Sequence, residues 1–477
     1  MRLSRVLVVS LSALLIGGSV TPTGAAPKSS VPNPTVTGPV PSTQGSHGRP
    51  QTDSAFDLRP YGFVEEEYFV SGTAKTYTAR PTTADYTTRM LVRRPADPKD
   101  FNGTVIVEWN NVTAQHDQSP DYFWSYPMVL REGFAYVVVS AQAAGICCAP
   151  PLALQVIDSG RYEDLSHPGD DYSFDMFSQV VQSLRSPQGV DPMGGLKVRR
   201  ALASGHSQSA SRLHSYVTTV QADAGVIDGF FIDGGGAQSF PAEPLVPVVH
   251  VREQGWQPSP VTPNVDRNYR LWEVAGATHA DYWLLRQQFD NPERLVPQQP
   301  QFGPGWREQE EDISGNYGYD VEPRQTTCPV GGGMFPKRYA VSAGLKRLDE
   351  WVRTGTPAPR VPRLEFDADG RVSLDEHGNG KGGLRLPPID VPVASYAAGA
   401  CQLFGVTIPL PPTTLRELYP THDVYVAKMQ AATDKAVAAG ILLPADAADL
   451  MARAERSSIP SQGIRSPLPT HLVPEPV

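Results

Sequence analysis

Residues 200–210, which read RALASGHSQSA, constrain the fold more than any other part of this chain. Their first half is short and apolar, as in a strand buried on both faces, and their second half begins a helix. Between the two halves stands Ser207, at a turn so tight that only small neighbours fit beside it. These small neighbours are Gly205, Ser209 and Ala210. The pattern predicts a strand, a sharp turn and a helix, with the serine hydroxyl projecting above the edge of a sheet.

A serine at such a turn is a candidate nucleophile, although Ser209 stands where the usual G-x-S-x-G pattern has its second glycine. Serine needs an adjacent base, which is commonly a neutral imidazole oriented by a carboxylate. Glu253 and His279 each follow closely on an apolar run typical of a buried parallel strand. Because the carboxyl ends of parallel strands meet at one edge of a sheet, we expect Ser207, Glu253 and His279 to form a catalytic triad.

Other residues compete for the roles of acid and base. Asp233, at the end of the strand before Glu253, and Asp266, in the loop before the following strand, are alternative acids. Three further histidines lie on the turn, inside a helix and inside a strand, and we expect them to make packing or polar contacts. They are His206, His214 and His250.

The negative charge that develops on an attacked carbonyl oxygen must be met by N–H donors. We expect one donor to be the backbone N–H of Gln208, directly after the serine. A second is expected from the loop that follows the apolar strand 103–109, and this loop begins with Asn110, Asn111 and Val112. Loss of one such donor typically costs about 3–4 kcal/mol of transition-state stabilisation.

Aromatic residues near the predicted site either line an apolar or sugar-stacking pocket or belong to the core. For Trp109 we favour the core. The pocket candidates are Trp109, Trp124, Trp256, Tyr282 and Trp283.

The net charge of −9 argues against nucleic acid as a partner, because no basic stripe is present to neutralise phosphates. No cysteine spacing resembles a zinc site, and we expect neither a metal nor an organic cofactor. The expected partner is a small-molecule or polymeric ester substrate. The pattern does not indicate an oligomeric state.

The first 26 residues have the pattern of a secretory signal peptide. Arg2 and Arg5 precede the apolar stretch Val6–Ile16, and small residues follow. The apolar stretch is too short to span a membrane, so we expect a secreted, extracellular protein. Residues 27–54 are rich in Pro, Ser, Thr and Gly, which predicts a disordered linker.

Strands alternate with helices over residues 55–357, which predicts an α/β core with a mostly parallel central sheet and helices on both faces. Two polar insertions, at about 141–170 and about 281–335, are expected over the active site. Residues 358–477 are expected to form a hairpin and a helical extension that pack on this core.

Four cysteines in an oxidising compartment predict disulfide bonds. Cys147 and Cys148 are adjacent in the chain. They either join each other or reach the two remaining partners, Cys328 and Cys401.

Several segments resemble the large secreted actinobacterial branch of the α/β-hydrolase superfamily known as alpha/beta hydrolase domain proteins. The segments are DPMGGL at 191–196, GHSQSASRL at 205–213, LSHPGDDYSFD at 165–175 and LYPTHD at 418–423. The resemblance implies the α/β-hydrolase fold. It also implies a serine nucleophile at Ser207, with the acid and the histidine at Glu253 and His279.

The leading hypothesis is a secreted serine hydrolase that cleaves carboxylic esters through an acyl-enzyme. A peptidase or amidase would use the same triad. A catalytically silent binding protein with the hydrolase fold is a further alternative, since one fold hosts many functions.

Overall fold

The structure is a computed structural model. It describes residues 31–46, 48–54, 56–148, 152–235, 239–260, 267–284, 333–399 and 403–460, and the statements below concern these residues. The predicted signal peptide and residues 285–332 of the second insertion therefore lie outside the described residues. No helix in the described ranges is long and apolar enough to cross a membrane.

Twelve strands are present in the described part of the chain. They are β1 (Thr35–Thr37), β2 (Phe63–Lys75), β3 (Thr83–Pro95), β4 (Thr104–Trp109), β5 (Ala135–Val139), β6 (Gln188–Gly189), β7 (Arg200–His206), β8 (Gly229–Asp233), β9 (Val248–Glu253), β10 (Tyr269–Val274), β11 (Ala394–Ala397) and β12 (Val406–Pro409).

The helices between and after these strands range from one turn to five. They are α1 (Pro120–Arg131), α2 (Ala143–Ile146), α3 (Leu154–Ile157), α4 (Ser159–Tyr162), α5 (Ser173–Arg185), α6 (Gln208–Thr219), α7 (Gln221–Ala224), α8 (Lys337–Thr354), α9 (Pro387–Asp390), α10 (Pro412–Leu418), α11 (His422–Ala438) and α12 (Pro444–Arg456).

Ten strands form one sheet in the order β10-β9-β8-β7-β4-β5-β3-β2-β1-β6. The six strands from β10 to β5 run parallel to one another, whereas β3, β2 and β1 pair antiparallel. Strand β5, which follows β4 in the chain, lies on one side of β4 in the sheet, and β7 lies on the other side. The strand order therefore reverses between β4 and β7, which is where ligands bind in open α/β sheets. The mostly parallel sheet confirms the predicted fold class.

Both faces of the sheet are buried, which explains why its parallel strands are continuous apolar runs. In β4, Ile106 packs in one hydrophobic cluster with α1 and α8. Its neighbours Val105 and Val107 pack on the opposite face with α5 and α6. The first cluster also contains Tyr425 of α11 and Leu450 of α12, so the C-terminal helices share the core of the sheet.

The prediction of a disordered linker at 27–54 is wrong for its described residues. Strand β1 pairs with β2, and its central residue Val36 is 1% exposed. The Arg161 guanidinium donates hydrogen bonds to the carbonyl oxygens of Pro41 and Gln44, at 3.0 and 3.1 Å. A Pro- and Ser-rich composition does not reveal this order, because Arg161 lies more than 100 residues further along the chain.

The first predicted insertion, residues 141–170, contains α2, α3 and α4. Its residues Leu154 and Tyr162 pack in a small cluster around Phe69 of β2. Asp170, at its end, pairs with Arg212 of α6 at 2.9 Å. This segment therefore covers the antiparallel part of the sheet and reaches the helix that follows Ser207.

The adjacent cysteines Cys147 and Cys148 are joined in a disulfide bond. This is the first of the two pairings considered from the sequence. Cys328 and Cys401 lie outside the described residues.

Candidate active site

Strand β7 ends in the predicted sharp turn. Ser207 has φ 62° and ψ −115°, a conformation that non-glycine residues rarely adopt. Its N–H donates to the carbonyl oxygen of Asp233 at 2.8 Å, and α6 begins at the next residue. A Cβ atom at Gly205 would lie 3.1 Å from both the Leu213 side chain and the Ser209 backbone, so a larger residue there would have to displace its neighbours.

Ser209 fits at the second glycine position because its side chain has a specific partner. Its Oγ donates to the carbonyl oxygen of His206 at 2.8 Å. Asn111 Nδ2 donates to the same carbonyl oxygen at 2.9 Å, which ties the loop after β4 to the turn. The departure from the usual pattern therefore adds a contact and leaves the turn intact.

The structure brings together the serine, the histidine and the acid. Ser207 Oγ lies 2.8 Å from His279 Nε2, and His279 Nδ1 lies 3.2 Å from Glu253 Oε1. Ser207 is half-buried, whereas His279 and Glu253 are 8% and 1% exposed. The His279–Glu253 contact is not aligned as a hydrogen bond. Such contacts often tighten only when a substrate is bound.

Both oxygens of the Glu253 carboxylate are held by neighbouring donors. Trp256 Nε1 donates to Oε2 at 2.7 Å, and Lys337 Nζ donates to Oε1 at 2.6 Å. Burial opposes ionisation, but the charges of Lys337 and His279 outweigh it and hold the pKa of Glu253 well below its usual value. Glu253 is therefore a carboxylate at neutral pH.

His206 lies beside His279 on the inner side of the site. The two imidazole rings are 4.3 Å apart between centroids, and His206 Nε2 lies 3.4 Å from Glu253 Oε1. Burial, together with the charges of His279 and Lys337, lowers the pKa of His206 well below its usual value. His206 is therefore neutral and donates toward the carboxylate.

Of the two alternative acids, the structure describes Asp233 alone. Asp233 is fully buried, and its Oδ2 lies 3.0 Å from Lys337 Nζ, while its backbone carbonyl accepts the N–H of Ser207. Burial raises the pKa of Asp233 to about 6. Asp266 lies outside the described residues.

The predicted oxyanion donors Asn110 and Asn111 need correction. The N–H of Asn110 donates to Val139, and the N–H of Asn111 donates to Gln118, so neither backbone donor is free. The cause is the continuation of backbone pairing one or two residues beyond β4. Among the described residues, the N–H groups of Gln208 and Val112 have no protein partner.

Most of the pocket candidates pack in the core. Trp109, Trp124 and Trp283 are at most 5% exposed, and each indole N–H is bonded to a protein acceptor. Tyr282 is also buried. Trp256 is half-buried, and its ring centroid lies 5.6 Å from that of His279. Of these candidates, Trp256 is the one that contacts the site from its outer side.

His214 and His250, the other two histidines considered from the sequence, lie away from the serine. The ring of His214 stacks on Phe240, with centroids 4.4 Å apart. His250 Nδ1 lies 3.1 Å from the hydroxyl of Tyr269, and burial lowers its pKa to about 4. Both residues make the packing or polar contacts expected from their positions.

A family model described as "Alpha/beta hydrolase domain" matches residues 36–452 of the sequence. The match covers most of the chain, including the turn with Ser207 and the regions of Glu253 and His279. The chain belongs to the alpha/beta hydrolase domain family. The resemblance to this family that the sequence suggested is thereby confirmed, whereas the actinobacterial branch stays a prediction.

Solved structures with a partly similar fold include esterase Est22, at 14% identity and a TM-score of 0.27. That match covers 41% of this chain and 66% of the Est22 chain, just under two thirds of it. Est1E from Butyrivibrio proteoclasticus, solved with ferulic acid, matches at 11% identity and a TM-score of 0.26, over 39% of this chain and 85% of that one. Such low scores support no conclusion about activity. No curated protein matches the sequence.

Part of this cluster also has a spacing that suits a metal ion. One atom from each of His206, Glu253 and His279 lies within 4.8 Å of the others, a spacing that a metal ion could use. Lys337 Nζ, however, lies 2.6 Å from the Glu253 oxygen and would repel a cation. The geometry therefore favours acid–base chemistry over metal binding.

Lys337 is the residue of this site that sequence reasoning missed. It is the first residue of α8. A signal was available, because Lys337 shares a helical face with Val341 and Leu345, which are buried. A lysine on a buried face needs an anionic partner.

Proposed function

We propose that this protein is a serine hydrolase that cleaves carboxylic esters through an acyl-enzyme. The observation that carries the proposal is the 2.8 Å contact between His279 Nε2 and the hydroxyl of Ser207, which is held in a strained turn. A buried, ionised Glu253 lies behind the imidazole. The arrangement supports a nucleophile, a base and an orienting acid in these three roles.

In the first half of the reaction, Ser207 Oγ attacks the ester carbonyl carbon while His279 Nε2 takes the hydroxyl proton. Glu253 stabilises the resulting imidazolium without taking the proton. The C–O bond to the leaving group then breaks, and His279 returns the proton to the departing alkoxide. An alcohol leaves, and the acyl group stays bonded to Ser207.

In the second half, a water molecule attacks the acyl carbon and gives a proton to His279. The bond to Ser207 Oγ breaks, the serine recovers its proton from His279, and the carboxylic acid leaves. No other reactant is needed.

The oxyanion of each tetrahedral intermediate requires two donors. Gln208 N–H, at the start of α6, is the first donor in this proposal. Val112 N–H supplies the second, because its loop is tied to the turn through Asn111 and because its N–H has no partner among the described residues.

The N-terminal pattern of Arg2, Arg5 and the apolar stretch that follows supports a further part of the proposal, namely that the protein is secreted. A secreted esterase of this kind meets small-molecule or polymeric esters outside the cell.

The test is hydrolysis of p-nitrophenyl esters with acyl chains of two, four and eight carbons, together with the matched p-nitroanilides. We expect turnover of at least one ester, and we expect Ser207→Ala to lower kcat by about a thousandfold or more. Ser211→Ala, one turn further along α6 on its exposed side, is the matched control and should keep the activity. Faster turnover of the anilides would contradict the esterase assignment, and equal rates for Ser207→Ala and wild type would contradict the role of the serine.

A further inference from the structure

Lys337 is a buried cation directly behind the acid of the proposed triad. Its side chain is completely buried, and its Nζ lies 3.9 Å from the centroid of the Trp124 ring. It contacts two carboxylates, Glu253 Oε1 at 2.6 Å and Asp233 Oδ2 at 3.0 Å. The two acids come from the neighbouring strands β8 and β9, and the cation comes from the start of α8.

A cation in this position has two opposing effects on the triad. It fixes the Glu253 carboxylate and keeps it ionised, which helps to orient His279. Its positive charge also cancels the negative charge that should stabilise the His279 imidazolium. Asp233 resolves this conflict, because a second carboxylate beside Lys337 neutralises the ammonium.

We propose that Lys337 and Asp233 form a buried ion pair that positions Glu253 and preserves its negative charge for His279. Both are positioning residues, because they act on His279 through Glu253. The inference rests on the proposed function for its meaning in catalysis. The ion pair sets how much negative charge His279 meets from Glu253.

Other titratable groups face this pair from every element around it. Asp121 of α1 lies close to Asp233, and burial raises the pKa of Asp121 well above its usual value. His206 of β7 is neutral. Burial raises the pKa of Asp281 to about 6, and its Oδ1 is held by Trp124 Nε1 at 2.8 Å. The variants below change Lys337 and Asp233 and leave Glu253, the carboxylate that lies against His279, in place.

The test measures the pH at which His279 titrates, by NMR of protein labelled with ¹³C at histidine Cε1. The His279 signal is assigned from its loss in His279→Gln. Asp233→Asn leaves the ammonium unbalanced, so His279 should titrate about one pH unit lower than in the wild type. Lys337→Met removes the cation, so His279 should titrate about one pH unit higher.

Two controls accompany these variants. The double variant Asp233→Asn/Lys337→Met removes one negative and one positive charge, so the two opposite shifts should cancel and His279 should titrate close to the wild type. Lys346→Met removes a lysine of the same helix that pairs with Glu132 at the surface, and it should leave the titration unchanged.

The acid limb of the kcat/KM profile should move in the same directions as the NMR titration. Shifts of equal sign in the two single variants, or no shift in either, would overturn the inference, even if activity fell. If Lys337→Met does not fold, Asp233→Asn alone tests the inference, because Asn is isosteric with Asp. A lower titration of His279 in that variant would then support the ion pair, and no shift would overturn it. Opposite NMR shifts in a protein without esterase activity would support the ion pair and refute the proposed function.

Discussion

At the residue scale, Gly234 allows the acid and the turn to come together. It follows β8 with φ +69°, and its N–H donates to the carbonyl oxygen of Val251 at 2.8 Å. A Cβ atom added there would lie 2.8 Å from Glu253 Oε1 and 3.0 Å from His206 Nε2. Glycine is therefore required both for its backbone conformation and for the space that the carboxylate occupies.

Gly234→Ala should lower kcat/KM at least tenfold, because the methyl group displaces Glu253 from His279. Gly225→Ala is the matched control, since Gly225 has φ +60° and nothing within 4 Å of the added Cβ. In both variants the alanine has a positive φ, which should lower the free energy of unfolding by about 1 kcal/mol or more, as measured by urea unfolding. Equal activity in the two variants would show that the position of Glu253 does not matter to turnover.

At the element scale, the N-terminal segment is fastened to the sheet by buried arginines. Arg161 of α4 binds Glu67 of β2 through Nε at 2.7 Å and also holds the carbonyl oxygens of Pro41 and Gln44. Arg89 of β3 contacts the same glutamate. Buried charges of this kind are stable only as complete sets, since one missing partner leaves an uncompensated charge.

Arg161→Met should lower the free energy of unfolding by about 3 kcal/mol, because Glu67 loses one of its cations and two carbonyl oxygens lose their donor. Urea unfolding followed by circular dichroism measures this change. Arg59→Met is the control, since Arg59 pairs with Asp57 at the exposed surface and should show no measurable effect. Equal stabilities of the two variants would mean that the segment is not held by this network.

An element could be predicted from the sequence when its interacting residues lie close together along the chain. The strand, turn and helix around Ser207 were predictable because their signals lie within a dozen residues. The ion pair between Lys337 and Glu253 joins residues 84 apart, and the bond from Arg161 to Pro41 spans 120. Local patterns do not identify such distant partners, so the contact of Lys337 with Glu253 and the order of the N-terminal segment were missed.

The donor residue within the oxyanion loop could not be predicted for a related reason. Residue spacing predicted that the loop after β4 reaches the turn, and the contact of Asn111 with His206 is in agreement with this expectation. Which N–H group remains free depends on where the backbone pairing stops. Asn111 pairs with Gln118 beyond the end of β4, and the composition of the loop does not predict this pairing.

At the scale of the whole molecule, several carboxyl groups are buried in or near the site. Glu108 of β4 accepts hydrogen bonds from the N–H groups of Asp121 and Tyr122 and from the hydroxyl of Tyr136, at 2.8–3.0 Å. Burial nevertheless raises the pKa of Glu108 to about 8. The folded protein therefore keeps a proton on Glu108 at neutral pH that the unfolded chain releases near pH 4.5.

This difference makes stability depend on pH in a defined direction. Between pH 5.5 and 8 the unfolded state binds fewer protons than the folded state, so the free energy of unfolding falls as pH rises. Glu108→Gln, which is neutral at every pH, should reduce this fall by about 2–3 kcal/mol in urea unfolding. The same fall in the variant and in the wild type would show that Glu108 is ionised in the folded protein.

The central claim is that Ser207 is activated by His279, and covalent labelling tests it most directly. The folded protein is treated with a fluorophosphonate, and the adduct is located by peptide mass spectrometry. We predict a single adduct on Ser207 that is lost in His279→Ala but kept in His214→Ala, whose histidine stacks on Phe240 away from the site. No adduct on the wild-type protein, an adduct on another residue, or undiminished labelling of His279→Ala would contradict the claim.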